Sequence, residues 1–452
     1  MKNILLLNPP GKKLYIRDYF CSKVSQANYI SHPIDLVIIS GILSKENFSI
    51  HLIDSIVEKL SSKETIEKIS KLKPDFVISL SGAVSWEEDK EFFRELKKTL
   101  DTKLILCGDI FLENTEKYLE DYSFIDGIVL DFTSIKIIDY IKGKTSKREI
   151  IKDETNQIEF EIPVPRHGIF LELSYRYPFT LTRKYCSVLT EYGCPFKCSF
   201  CIMGKLKYKY RKPENVISEL KYIDSLGVKE IFFVDQTFGA NRKKTVEILS
   251  EMVKNKFNFK WFGFSRVDVL DTELLELMRK SGCHTLILGI ESGSDEILSK
   301  YRKGYNKKQI EETLNTCSKL GIRTVGTFIF GLPDETQDTA DETINFLKKL
   351  PLDYASFNVA VPRAGTDLRK QAILEKLIDE KFEIMDQSGT EIAMSTKYLN
   401  QEDVKKLRQR AVKEFYLRPK YLIKRLFKIR TFYELLQNIE NAIQLIKNTW
   451  IN

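Results

Sequence analysis

Three of the eight cysteines stand in one short stretch, Cys194-Pro195-Phe196-Lys197-Cys198-Ser199-Phe200-Cys201, in the pattern C-x3-C-x2-C. Three thiolates on one loop are a soft-metal site. Structural zinc takes four protein ligands, commonly as two paired halves. No second half is legible: Cys186 lies upstream, and Cys283-His284 fall much later in a separate apolar run. An iron–sulfur cubane can be held by three protein thiolates, leaving one iron open to another ligand. The pattern favours such a cluster; zinc and plain buried thiols are the alternatives.

The bulk composition narrows the setting. At 452 residues, 43% hydrophobic and 30% charged, the chain has room for two or three ordinary globular domains. No apolar run reaches the ~18 residues of a membrane span. Met1 to Pro10 reads as a first strand and turn, not a signal peptide. Few cysteines, three of them clustered, argue against a disulfide framework and for a reducing cytosol, so a cytoplasmic location is expected. With four histidines and no Ser–His–Asp set or carboxylate pair in view, acid–base catalysis is not the theme.

The cysteine loop needs a scaffold, and the residues around it alternate strand-like and helix-like runs. Strands are expected at Val188–Gly193, Glu230–Asp235, Phe259–Phe264, Thr285–Ile290, Arg323–Phe330 and Tyr354–Ala360. Helices between them start at Pro213, Lys243, Thr272, Lys307 and Thr336, and Gly227, Gly282 and Gly321 follow helix ends. Six βα units are too few for a closed eightfold barrel and fit a partial (β/α)6 barrel. Parallel barrels place chemistry at the carboxyl ends of strands, where the cysteine loop falls.

Residues 1–145 show a second alternation. Strands are expected at Lys2–Asn8, Phe48–Asp54, Asp75–Leu80, Thr102–Cys107 and Gly127–Leu130, with helices at Ile34–Ser44, Ser62–Leu72, Trp86–Leu100, Glu113–Tyr122 and Ser134–Ile141. That is the pattern of a doubly wound, Rossmann-like parallel sheet. No G-x-G-x-x-G follows the first strand, so a dinucleotide site is not expected. Residues 146–187 read as a linker punctuated by Pro163, Pro165 and Pro178; Tyr175, Tyr177, Phe179 and Tyr185 are either packing aromatics or a lid. The basic run Lys205 to Lys212 reads mainly as a solvated loop, Arg211 excepted.

Residues 366–452 change character. Cations from Lys405 to Arg430 interleave with apolar residues from Val404 to Phe427, Leu426 among them, and Pro419 interrupts the helical pattern. The simpler expectation is a C-terminal helical region packed on the barrel. The alternative is a peripheral contact with the inner membrane face through a basic amphipathic helix. Nucleic acid is not expected, because no recognition fold accompanies the charge.

The cysteine motif, with Phe200 before its last member, resembles the signature of the radical S-adenosylmethionine (SAM) superfamily. Further strand ends match in order: Phe232 to Phe238, Ser265-Arg266-Val267-Asp268, Gly289-Ile290-Glu291-Ser292-Gly293, Phe328 to Glu335, and Pro362-Arg363-Ala364-Gly365-Thr366. The resemblance implies a [4Fe–4S] cluster on Cys194, Cys198 and Cys201, whose open iron takes the amino and carboxylate groups of SAM. It implies Phe200 in the site, Asp235 near the methionyl end of SAM, Arg266 facing its carboxylate, Glu291 facing SAM, and Gly331 in the adenine-contacting turn. Asn8-Pro9-Pro10, His32 to Leu36, Lys73 to Ser81 and Leu104 to Gly108 resemble the cobalamin-binding domain found in many such proteins, which implies Pro33, Ser79, Ser81 and Gly108 beside cobalamin. This chain departs from that domain at Gly108-Asp109, where a second glycine is usual, and at Leu130-Asp131-Phe132-Thr133, where a Gly-Glu turn is usual. It also lacks the D-x-H-x-x-G motif.

The function implied is reductive cleavage of SAM to a 5′-deoxyadenosyl radical, followed by methylation of an unactivated carbon on a small-molecule or lipid-like substrate. An external donor of the flavodoxin or ferredoxin type would supply electrons. The alternatives are a radical SAM cyclase, mutase or oxidoreductase of the magnesium-protoporphyrin cyclase kind, and, from another class, a non-enzymatic iron–sulfur or zinc module.

Overall fold

The computed structural model describes residues 1–19, 21–25, 29–144, 148–153, 155, 157–382, 385–389, 391–429 and 432–446. Residues 146, 147, 154 and 156 of the expected linker, residue 145 before it, Arg430 of the basic tail and the side chain of Leu426 lie outside them. The chain divides into two compact units, the first containing Met1–Ser25, Tyr29–Tyr177 and Ser218–Gly227, the second Pro178–Ile217 and the residues from Val228 onward.

The central strands of the first unit are mostly apolar, as strands covered on both faces must be. Ile4, Leu5, Leu6 and Leu7 are all fully buried. The six-stranded parallel sheet runs Ser49–Asp54, Asn3–Asn8, Phe76–Leu80, Lys103–Cys107, Gly127–Val129, Glu149–Ile151. The order reverses beside Asn3–Asn8, the switch point where open α/β sheets bind ligands. Helix Ile34–Leu43 is buried at every position. Ser62–Leu72 starts with a reciprocal capping box between Ser61 and Glu64, an arrangement of about 1 kcal/mol. Tyr175 is buried, its hydroxyl donating to Asp54 Oδ2 at 2.9 Å.

One correction concerns the stretch read as a linker. Glu149–Ile151 is the sixth strand of this sheet, paired in parallel with Gly127–Val129. Its three residues are too short to show a period against flanking charge, so only the open edge of Gly127–Val129 recruits it.

The second unit carries the other six-stranded parallel sheet, in sequence order: Cys186–Val188, Glu230–Phe233, Lys260–Ser265, Cys283–Glu291, Arg323–Phe330 and Tyr354–Val359. Helices Arg242–Lys254, Thr272–Lys280, Lys307–Lys319 and Gln337–Lys349 alternate with these strands. This is the expected partial barrel, with a shifted first strand. Val188–Gly193 was expected, whereas the ladder runs over Cys186–Val188, and Glu191–Tyr192 pairs instead with Lys209–Arg211, antiparallel. The cause is Asp235: its carboxylate accepts the amide N–H groups of Thr190 at 2.6 Å and Glu191 at 2.8 Å, taking them out of the ladder. The basic loop is also not wholly solvated. Lys209 and Arg211 are buried, and Arg211 donates to Leu189 O at 2.9 Å and to Asn215 Oδ1.

In the tail, Gln401–Tyr416 buries Val404, Leu407, Ala411, Val412 and Phe415, and Arg408 donates to Phe357 O and Ser388 O at 2.9 Å each. Pro419 opens the next helix, Pro419–Lys428. No described helix is long and apolar enough to cross a membrane.

Candidate functional site

The cysteine loop leaves the first strand of the second sheet at its carboxyl end and is pinned by close backbone packing. A Cβ on Gly193, which has φ +74°, would sit 2.9 Å from Lys207 O, and one on Gly204 would sit 2.4 Å from Phe196 O. Both positions require glycine. Cys201 N donates to Cys198 O at 3.1 Å, closing the turn, and Leu368 N donates to Ser199 O at 2.9 Å. The three thiols are half-buried, whereas the other five cysteines are buried. Burial pushes the Cys194 thiol up and the Cys201 thiol up to about 12. Among the described residues no three His, Cys, Asp or Glu side chains are grouped as ligands of a single metal ion. An open cleft of about 100 Å³ is lined by Cys198 and Cys201 together with Lys197, Lys205, Arg302 and Asp367.

Arg266, at the end of the strand Lys260–Ser265, reaches back to this loop. Its Nη1 donates to Cys198 Sγ at 3.2 Å, its Nε to Asp268 Oδ1 at 3.0 Å and its Nη2 to Asp268 Oδ2 at 2.8 Å and to Lys303 O. The guanidinium lies 3.8 Å from the centre of the Phe196 ring. Nearly all its donors are used, so this arginine clamps the cluster loop.

Glu291 closes the next strand in the left-handed region, at φ +66°, a conformation costing about 1 kcal/mol or more outside glycine. Its Oε1 accepts from Lys303 Nζ at 3.1 Å, and both side chains are almost wholly buried. The ammonium of Lys303 lies 5.6 Å from the centre of Phe200 and 5.2 Å from that of Tyr305. A Cβ on Gly289 would fall 2.5 Å from Glu291 Oε1 and 3.3 Å from Lys303 Nζ, so glycine there makes room for the pair. Cys198, Phe200, Arg266 and Glu291 are thereby brought around one end of the sheet.

Two other residues expected at SAM have partners within the protein. Asp235 is fully buried and its oxygens hold Thr190 and Glu191, so it positions the backbone ahead of the cysteines. Gly331, at φ +85°, gives its N–H to Glu335 Oε2 at 2.6 Å and packs against Val404. Lys303 and Thr237, whose hydroxyl lies 3.6 Å from Cys194 Sγ, are site residues that sequence reasoning missed. Nothing local separates Lys303 from a surface lysine; only the Lys-Gly step before the helix Lys307–Lys319 hints at a constrained turn.

In the first unit, Ser79 Oγ donates to Leu7 O at 3.2 Å, and Ser81 Oγ to Asp89 Oδ2 at 2.9 Å. Gly108, at φ +134°, leaves room only for Ser81 O, which a Cβ would meet at 1.8 Å. Pro33 precedes helix Ile34–Leu43 as its N-cap. These residues shape the carboxyl end of the sheet, with their own polar atoms satisfied. Asp35 is different: it is fully buried, and neither carboxyl oxygen has a hydrogen-bond partner of good geometry among the described residues. Burial, then the nearby Asp18 and Asp109, push its carboxyl well above the usual range.

Comparison with known proteins matches this arrangement. The sequence profile of the Radical SAM superfamily matches residues 188–347. An uncharacterized methyltransferase of Pyrococcus horikoshii is 30% identical over 431 residues, covering 88% of this chain and 91% of that protein. The anaerobic magnesium-protoporphyrin IX monomethyl ester cyclase of Cereibacter sphaeroides is 26% identical over 364 residues, covering 74% of this chain and 59% of that one. Among solved structures, the radical SAM methyltransferase TsrM of Kitasatospora setae, with cobalamin and a [4Fe–4S] cluster bound, superposes with a TM-score of 0.69 at 15% identity, over 99% of each chain. The cysteine loop on a six-stranded parallel sheet, the profile match and the full-length relative agree that this chain belongs to the radical SAM superfamily.

Proposed function

We propose that this chain is a cobalamin-dependent radical SAM methyltransferase acting on an unactivated carbon of a small-molecule or lipid-like substrate. The observation that carries the reading is the convergence of Cys198, Arg266, Glu291 and Lys303 at the carboxyl ends of adjacent strands. Cys194, Cys198 and Cys201 fit a [4Fe–4S] cluster: three half-buried thiols on one loop, two of them bordering an open cleft and one already accepting a charged N–H. Held by these three cysteines, a cluster would supply the single electron for reductive cleavage of SAM to methionine and a 5′-deoxyadenosyl radical able to take a hydrogen atom from the substrate.

The chain's residues supply position and charge. Arg266 holds the cysteine loop in register through Cys198 and the Phe196 ring. Glu291 offers a carboxylate to the α-ammonium of SAM, and Lys303, its buried partner, offers a cation to the carboxylate. Phe196 and Phe200 wall the site with apolar surface, which strengthens these charges and keeps water from a reactive radical. A soluble one-electron donor of the flavodoxin or ferredoxin class completes the scheme.

For cobalamin, the fitting feature is Asp35. A fully buried carboxyl, pushed well above its usual range by burial and then by Asp18 and Asp109, is suited to an amide-rich ligand. Cobalamin would supply the transferable methyl group there. The cyclase relative favours a second outcome of the same radical, ring closure without methyl transfer.

The test is anaerobic reconstitution with iron, sulfide and hydroxocobalamin, then quantification of iron, cobalamin and 5′-deoxyadenosine. About four irons with one cobalamin and SAM cleavage support the methyltransferase. Four irons and cleavage without cobalamin turn the search to cyclisation or rearrangement, and no cleavage in the fully reduced protein rejects both.

A further inference from the structure

Amphipathic helices of a globular unit turn their apolar face inward. The last two helices of this chain do the reverse. In Pro419–Lys428, Leu422 is 47% exposed, Ile423 56% and Phe427 88%. In Phe432–Ile446, Leu436, Ile439 and Ile443 are each 45–49% exposed, at spacings of three and four that make one stripe. The polar faces point inward and meet. Arg425 lies 4.0 Å from the centre of the Tyr354 ring and reaches Asn438 Oδ1 at 3.1 Å. Arg323 Nη1 pairs with Glu434 Oε1 at 2.7 Å, Tyr421 donates to Asp353 O at 2.9 Å, and Lys428 pairs with Asp353. With their polar sides fixed by these contacts, the helices cannot roll to hide the apolar stripe.

Charge indicates what covers it. Helix Pro419–Lys428 carries four cations and no acid. Arg425 and Lys428 pair inward, whereas Lys420 and Lys424 are exposed at the border of the apolar face. A two-fold contact between copies would bring these lysines together against one exposed acid, Glu440. An apolar stripe bordered by lysines, on helices too short and polar to span, matches an interfacial helix lying on anionic lipid.

We propose that helices Pro419–Lys428 and Phe432–Ile446 are a docking face for an anionic lipid bilayer, their apolar stripe entering the headgroup–acyl boundary and Lys420 and Lys424 meeting lipid phosphates. This interaction requires neither cluster nor cobalamin, so it stands apart from the reaction assigned above.

The experiment is flotation of the full chain with vesicles of phosphatidylcholine alone and of phosphatidylcholine with phosphatidylglycerol, at low and high salt. The expected result is binding to the anionic vesicles only, weakened by salt. A double variant Ile423→Ser/Phe427→Ser should lose about tenfold or more in partitioning, and Lys420→Glu/Lys424→Glu a similar amount. All four side chains are exposed, so thermal melting should be unchanged; if the serine pair does melt early, the glutamate pair alone decides. Absence of vesicle binding, or binding untouched by the glutamate pair, overturns the proposal. So does a concentration-dependent dimer in light scattering that the serine pair abolishes while vesicles bind neither form.

Discussion

Arg266 donates to the sulfur of Cys198 across 3.2 Å through Nη1 while its Nε and Nη2 are held by Asp268. The residue that follows the strand Lys260–Ser265 is therefore the one that fixes the cysteine loop. Lysine cannot reproduce the two-pronged contact or the stack on Phe196. Arg266→Lys should lower iron retained after reconstitution severalfold and destabilise the fold by about 2 kcal/mol. Iron analysis and thermal melting check both. Full iron content in the variant would mean that Arg266 is not what holds the cysteine loop.

Cys198→Ala should abolish cluster formation and 5′-deoxyadenosine production together, with little loss of fold, because the thiol is only half-buried. Iron content and chromatographic assay of the nucleoside decide this. Retained SAM cleavage would rule out Cys198 as a ligand.

Glu291 and Lys303 should act as a pair. Lys303→Met or Glu291→Gln should weaken SAM binding about tenfold or more while iron content stays unchanged, since neither side chain contacts a thiol directly. Because each leaves the other charge buried and unpaired, the double variant should cost less than the sum of the singles. Isothermal titration of the reconstituted protein measures all three.

Gly289→Ala should reproduce that phenotype without touching either charge. The new methyl would sit 2.5 Å from Glu291 Oε1 and force the pair apart. Unaltered SAM affinity would mean the pair is not at the ligand.

Glu335 predicts a pH dependence. Burial pushes its carboxyl up to about 8, against an ordinary value of 4.5. Between these values the unfolded chain ionises the group while the folded chain keeps it protonated, so the unfolded state holds fewer protons. This contribution to stability is complete below pH 4.5, declines as pH rises to about 8 and is flat beyond. Glu335→Gln retains an acceptor for Gly331 N–H and removes the titration. Denaturation at pH 5.5 and 7.5 should differ less in the variant than in the wild type, by about 1–2 kcal/mol.

Much of the barrel was legible because its units repeat. Apolar runs of strand length, capped helices and glycines at φ +74° (Gly227), +108° (Gly282) and +69° (Gly321) are local facts, and local chemistry dictates them. Cys194, Cys198 and Cys201 were legible for the same reason: loop spacing alone brings three thiolates together. The first strand was misplaced because its end is set by Asp235, some 45 residues away in the chain, which captures the Thr190 and Glu191 amides. Glu149–Ile151 was missed because a three-residue strand exists only where a sheet edge awaits it.

The amino-acid sequence by itself determined the alternating architecture and the grouping of three cysteines on one loop, since these follow from periodicity and short-range spacing. Only the tertiary structure decided which side chains share a site. It turned Asp235 inward, spent Arg266 on the cysteine loop, brought Lys303 to Glu291 and left the last two helices with their apolar faces outward. A buried charge takes whatever partner the fold places within reach, and that distance is not written along the chain.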